Sequence, residues 1–283
     1  MFSTFFKGSF SVYLLSIYVP IYVKCFRSYN NPPVFQTAYG NASDVEKVVA
    51  FGVYYNYEDV KKAFDTEDAK DQHVLTLFQE YEKNCPNHGV VTNPRKKHPF
   101  IVVEGVHRTT RSIVGHKIAS RIQGIVLSNP PKYMTSLSER LPSGNLFRKA
   151  FFTLGIYGSS CEARDKVEDS PILVNGHWMF QSTFAMAKIF GCLPPLTSPV
   201  YDWPKDLFKP DVVVFINPPI PPHLKQRTNY FTPVLVEMYR KWKDPPVIEV
   251  NSSSHYDEIA TLSVELINRK LGTNYIPMAM TEY

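Results

Sequence analysis

The residues with the clearest capacity for chemistry run from Gly105 to Ser112, where the chain reads Gly-Val-His-Arg-Thr-Thr-Arg-Ser. A loop of the form Gly-x-x-x-x-Gly-Lys-[Ser/Thr] holds phosphate. Its backbone N–H groups make a nest, its lysine reaches the β/γ-phosphates and its hydroxyl binds magnesium. Gly105 and Ser112 fit that form, whereas Thr110 stands at the second glycine and Arg111 at the lysine. A Cβ at the second glycine crowds the loop and makes φ > 0 costly. Arginine keeps the charge, but its planar fork is no geometric substitute for an ammonium. Gly105, Arg108, Thr110, Arg111 and Ser112 are therefore candidate phosphate contacts in an altered loop. Taken alone, the octet is equally an ordinary turn between strand and helix. No metal cluster competes with it: the eight histidines are scattered, and Cys25, Cys85, Cys161 and Cys192 show no zinc-ligand spacing. Reduced thiols are expected, rather than a disulfide framework.

Such a loop works only if a strand delivers it and a helix carries it away. Phe100–Glu104 (FIVVE) reads as that strand, followed by a loop and a helix through Ile122. Further strands are expected at Gly124–Ser128, Ile172–Val174, Val212–Ile216 and Val247–Val250. Helices are expected over 144–168, Met179–Phe190 and Asp257–Leu271. Strands that are apolar throughout, alternating with helices, predict a three-layer α/β fold with a parallel sheet buried on both faces. Its ligand belongs outside the carboxyl ends of the strands. Before Pro99, segments 57–66 and 69–84 have helical spacing, and the turn-rich, basic stretch Cys85–His98 reads as a linker, with Arg95–Lys97 solvated. The chain thus divides into a segment 1–43, a helical extension and linker 44–98, and an α/β domain 99–283. Its first acidic residue is Asp44, and Lys7, Lys24 and Arg27 make the start basic, as in an organellar transit segment. Mitochondrial targeting is expected on that basis. The apolar stretch Ser11–Val23 leaves a membrane-anchored or secretory alternative open, and a disordered tail is the plainest reading. The net charge of +5 suits an anionic partner such as a nucleotide without requiring one, and no nucleic acid is expected.

Residues 100–283 as a whole carry segments that resemble one family: FIVVEG (100–105), SNPP (128–131), FRKAFFTLGIY (147–157), SPILVNGHW (170–178) and SPVYDWPKDLFKPDVVVFI (198–216). They resemble the thymidylate kinase superfamily of P-loop nucleoside monophosphate kinases, and most closely its mitochondrial UMP-CMP kinase 2 branch. The resemblance implies transfer of the ATP γ-phosphoryl to a nucleoside monophosphate, with ATP and Mg2+ as cofactors if any activity remains. It also implies a homodimer, because relatives dimerise through helices of this domain. An Asp-Arg pair is expected after the third strand, where this chain has Asn175 and Gly176. The aspartate expected in the loop is His107, and the arginine-bearing lid is cut to a short connector after NPPIPPHLKQR (217–227). Arg148 and Phe152 stand where the family contacts the acceptor nucleotide. Core packing for Phe152 and a surface ion pair for Arg148 are the competing explanations.

Losing a metal-facing carboxylate, a bidentate guanidinium and the loop lysine together predicts failure of phosphoryl transfer, since such groups act as a unit. No catalytic residue is then assigned at the degenerate positions Arg111, Asn175 and Gly176, and the chain is expected to be a pseudokinase that binds a nucleotide or a protein. The alternative is an active kinase for UMP, CMP or dTMP in which His107, Arg108 and Arg111 converge on the phosphates. A third expectation is a mitochondrial scaffold that meets an unknown protein partner through the helices of 57–84.

Overall fold

The computed structural model describes residues 43–64, 72–87, 96–136, 146–219, 231–252 and 255–275. Five strands, β1 (Phe100–Gly105), β2 (Ile125–Leu127), β3 (Ile172–Asn175), β4 (Val212–Ile216) and β5 (Val247–Val250), form one sheet in the order β2-β3-β1-β4-β5. All neighbours pair in parallel, with Val102 beside Val174 and Val213. Strand alternation sorts the core into two faces. Ile101, Val103, Leu173, Val212, Val214 and Ile216 point one way and are covered by α4 (Arg108–Arg121) and α9 (Tyr256–Leu271). Phe100, Val102, Ile172, Val174, Val213 and Phe215 point the other way. That face is covered by α6 (Leu146–Lys166), α7 (Trp178–Phe190) and α8 (Thr232–Lys241), with the short α5 (Lys132–Thr135) beside α6. The result is the three-layer α/β architecture of P-loop kinases, and all five expected strands are present.

The extension contributes α1 (Asp44–Ala50), α2 (Tyr57–Lys62) and α3 (Gln72–Asn84). Val48, Val60, Leu77 and Tyr81 are fully buried and belong to the same core cluster as β1 and β3. Directed hydrogen bonds fix the first two helices to the sheet domain. Trp178 Nε1 donates to Tyr54 O at 2.7 Å, Tyr57 N to Asp206 Oδ2 at 2.6 Å, and the Tyr55 hydroxyl to Val200 O at 3.0 Å. The segment 198–216 is therefore the seat of the extension: Asp206 also accepts from the Tyr157 hydroxyl at 2.7 Å, and Trp203 stacks on His177 at 5.6 Å between centroids.

Two expectations need correction. Lys96 is not solvated: it is 13% exposed, donates to Lys209 O and to Asp211 Oδ1 at 3.1 Å, and lies over the Phe208 ring. Asp211 in turn accepts from Phe100 N at 2.8 Å and so anchors the start of β1. The cysteines are not all reduced either. Cys85 and Cys161 are joined as a disulfide with Cα atoms 5.7 Å apart, and Cys192 is also disulfide-bonded. The residue just past α3 meets α6 to make the first pair across 76 residues, a juxtaposition that sequence spacing does not reveal. The stretch Ser11–Val23 and most of 217–227 lie outside the described residues. No helix among the described residues is long and apolar enough to cross a membrane.

Candidate functional site

Where β1 ends, only Val106 and His107 intervene before α4 begins at Arg108. A phosphate nest needs a longer wrap in which glycine takes a conformation barred to other residues. Thr110 and Arg111 instead lie within the first turns of the helix, and Arg111 N donates to His107 O at 3.0 Å. Among described residues the only non-glycine with positive φ is Gln123, so Thr110 does not take up the glycine's role. Residues 108–112 are thus helical from the start rather than wrapped as a nest, which a Cβ at position 110 favours.

Arg111 then folds back over the space the loop would enclose. Its Nη1 donates to Gly105 O at 2.9 Å, and its guanidinium carbon lies 5.1 Å from the Phe180 ring centre. A Cβ placed on Gly176 would meet Arg111 Nη2 at 3.0 Å, and Gly176 has φ +77°. The backbone conformation at 176 favours glycine, and an added Cβ would also press on the arginine lying there. The turn is held by Asn129 Nδ2, which donates to Gly176 O at 2.6 Å, and by Gly176 N, which donates to Val103 O at 2.9 Å. The Asn175 side chain enters the opening left by Gly115 on α4, where an added Cβ would lie 2.0 Å from Asn175 Oδ1. Arg111, Asn175 and Gly176 are therefore brought together. His107 and Arg108 are exposed, while Thr110 and Ser112 are half-buried on α4.

Below this plug sits Glu104, fully buried on β1. Its Oε1 accepts from His177 N at 2.9 Å, so the carboxylate from β1 serves the amino end of α7, whose own N-cap His177 makes no side-chain cap. Burial pushes the Glu104 carboxyl up to about 7, against the opposing pull of the Arg111 charge and the backbone donors of His177 and Phe180. Glu104 Oε2 and Arg111 Nε are buried without hydrogen-bond partners. His177 is 1% exposed, bonds through Nε2 with the Ser160 hydroxyl at 2.9 Å, and is pulled down to about 3 by burial alone. Sequence reasoning assigned Glu104 only a family match and missed Gly115 and Phe180. A buried acid ending an otherwise apolar strand was the available signal for the first.

The two acceptor-side candidates lie on α6. Phe152 is half-buried against the main core and edge-on to Phe151 at 5.6 Å, which is packing. The exposed Arg148 places its guanidinium carbon 5.7 Å from the Phe152 ring centre, a cation–π approach at the outer limit of distance.

No family model matches the chain. Over 125 residues it is 30% identical to UMP-CMP kinase 2, mitochondrial, of Homo sapiens, a match covering 42% of this chain and 28% of that relative. The aligned region thus spans little more than a quarter of the relative's length. This partial similarity and the five-stranded parallel sheet together support a relationship to the nucleoside monophosphate kinases.

Proposed function

We propose that this chain is a nucleoside monophosphate kinase relative of the thymidylate kinase type, with UMP-CMP kinase 2 as its nearer likeness, that has lost efficient phosphoryl transfer and kept its fold for binding. The observation that carries the reading is Arg111, whose guanidinium hydrogen-bonds Gly105 O and lies on Gly176. Phosphoryl transfer depends on positioning and neutralising charge. Here the cation that would face the triphosphate is spent on the protein's own loop, and the backbone donors are wound into a helix. The metal-facing carboxylate is the amide of Asn175, directed at Gly115. These residues do not fit ATP with Mg2+, so no step is routed through that pair. An active kinase would need His107, Arg108 and Arg111 to converge, yet the first two are exposed and the third is turned inward. What this reading retains is a surface: Arg148 for a monophosphate, with Phe152 packed beneath it, or a face for a protein partner, in the mitochondrial setting that the relative's name suggests.

The test is calorimetric titration of the full chain, since the extension shares its core with the sheet. ATP·Mg2+ is expected to give no saturable heat, and saturation would overturn the reading. Heat with UMP, CMP or dTMP alone would make the chain a nucleotide-binding protein. Silence with every nucleotide would leave protein binding as its role.

A further inference from the structure

The extension is attached in two different ways. The residues of α1, α2 and the link between them are tied to the sheet domain by directed hydrogen bonds from Tyr55, Tyr57 and Trp178. The seat of α3 is apolar, made by buried Val74, Leu77 and Tyr81, and at its carboxyl end Cys85 is bonded to Cys161 of α6. Both sulfurs belong to buried residues, Cys85 at 0% and Cys161 at 5% exposure. Beside that bridge, Tyr81 stacks on Tyr57 at 5.5 Å, Phe78 stands edge-on to Phe64 at 5.1 Å, and Arg164 Nη1 donates to Asn87 O at 2.7 Å just beyond the helix.

We propose that the Cys85–Cys161 bridge is a redox latch that fastens α3 to the parallel-sheet domain, closed in an oxidising compartment and opened by thiols in a reducing one. Opening breaks one S–S bond and forms two S–H bonds. The two electrons and two protons come from two equivalents of a small thiol, which leave as their own disulfide. A thiolate must reach a sulfur to begin the exchange, and both sulfurs are covered, so α3 must lift first.

Peptide mapping of the full chain purified without reductant is expected to show the Cys85 and Cys161 peptides linked. Alkylation of both in the native, unreduced protein would overturn the proposal. The rate of opening by dithiothreitol should level off at high thiol, where lifting of α3 limits it. A rate proportional to thiol throughout would refute that gating. By hydrogen exchange, reduction should cost α3 roughly tenfold or more in protection and leave β1 unchanged. Unchanged protection in α3, or simultaneous loss everywhere, would sink the latch. Because reduction also opens the disulfide of Cys192, the Cys85→Ala/Cys161→Ala variant is the control. It should exchange rapidly in α3 with or without reductant. If that variant does not fold, the wild-type mapping and exchange still decide.

Discussion

Replacing Glu104 by glutamine should change how stability depends on pH more than it changes stability at any one pH. Glu104 has its folded pKa raised from 4.5 to about 7 by burial. The folded state therefore holds its proton more tightly than the unfolded state. The stabilisation this gives is complete below 4.5 and is lost as pH rises through about 7, a difference of about 3 kcal/mol. His177 acts with the opposite sign. Its folded pKa is depressed from 6.5 to about 3. Stability from keeping it neutral is complete above 6.5 and is lost as pH falls toward 3, about 5 kcal/mol over the full range. Between 4.5 and 6.5 the two slopes oppose each other, so the wild-type chain should be nearly flat there with respect to this pair.

Glu104→Gln keeps an acceptor for His177 N but cannot titrate. Its stability should climb with pH between 4.5 and 6.5 at up to about 1.4 kcal/mol per pH unit, now that His177 is unopposed. His177→Gln should produce the mirror image, falling across the same window. Urea unfolding followed by tryptophan fluorescence, at half-unit steps from pH 4.5 to 8, measures each curve. The relative stability of Glu104→Gln and wild type should shift by about 3 kcal/mol in favour of the variant from the acid to the alkaline end. Parallel curves would show that Glu104 stays ionised, with the Arg111 charge and the α7 donors outweighing burial.

Three further substitutions probe the plug and its supports. Gly176→Ala should destabilise by about 1–3 kcal/mol, because φ +77° is costly with a Cβ and the methyl would press on Arg111. In Arg111→Ala/Gly176→Ala the steric part should vanish and the backbone part remain, a non-additivity readable by a double-mutant cycle in urea. Gly115→Ala, which would place its methyl 2.0 Å from Asn175 Oδ1, should cost about 1–3 kcal/mol, with much of it recovered by Asn175→Ala. Asp211→Ala strands Lys96 and the β1 donor Phe100 N, and should lower stability by about 1–3 kcal/mol in the same assay.

Much of this fold was legible because its strands are short apolar runs at regular spacing, and a parallel sheet buried on both faces needs such runs. All five strands were expected where they occur, Phe100–Gly105 and Val212–Ile216 nearly to the residue. Helix α1 was missed although its start carries a capping box. Ser43 Oγ accepts from Glu46 N at 3.3 Å, and Glu46 Oε2 accepts from Ser43 N at 2.6 Å. Helix α8 was missed as well, hidden behind the proline-rich stretch before it. Both are local signals. Lys96 and the Cys85–Cys161 pair were misread for another reason: their partners are distant in sequence, Asp211 in one case and α6 in the other. Composition could not supply either.

The phosphate loop stands between these cases. Thr110 and Arg111 at the positions of the pattern's glycine and lysine could be seen in the octet, and a Cβ at 110 argues against a nest there. The direction taken by Arg111 could not be seen. A guanidinium at that position could equally have reached outward to an anion. Two features outside the octet set it inward: Gly176, whose missing side chain leaves a surface for the fork, and Phe180, whose ring lies beside it. Gly115 plays the same part for Asn175. In sequence Asn175 and Gly176 look like simple losses of an acid and a base. In three dimensions they are the complement of Arg111 and Gly115, one side of a small interface between β3 and α4. If the plug were only a resting rotamer, Gly176→Ala would push Arg111 outward at little cost beyond the backbone term, and the double-mutant cycle with Arg111→Ala would close to zero. A coupling of 1 kcal/mol or more, on the order expected for residues in contact, would mean that the two positions are matched and the closed loop is built into the fold.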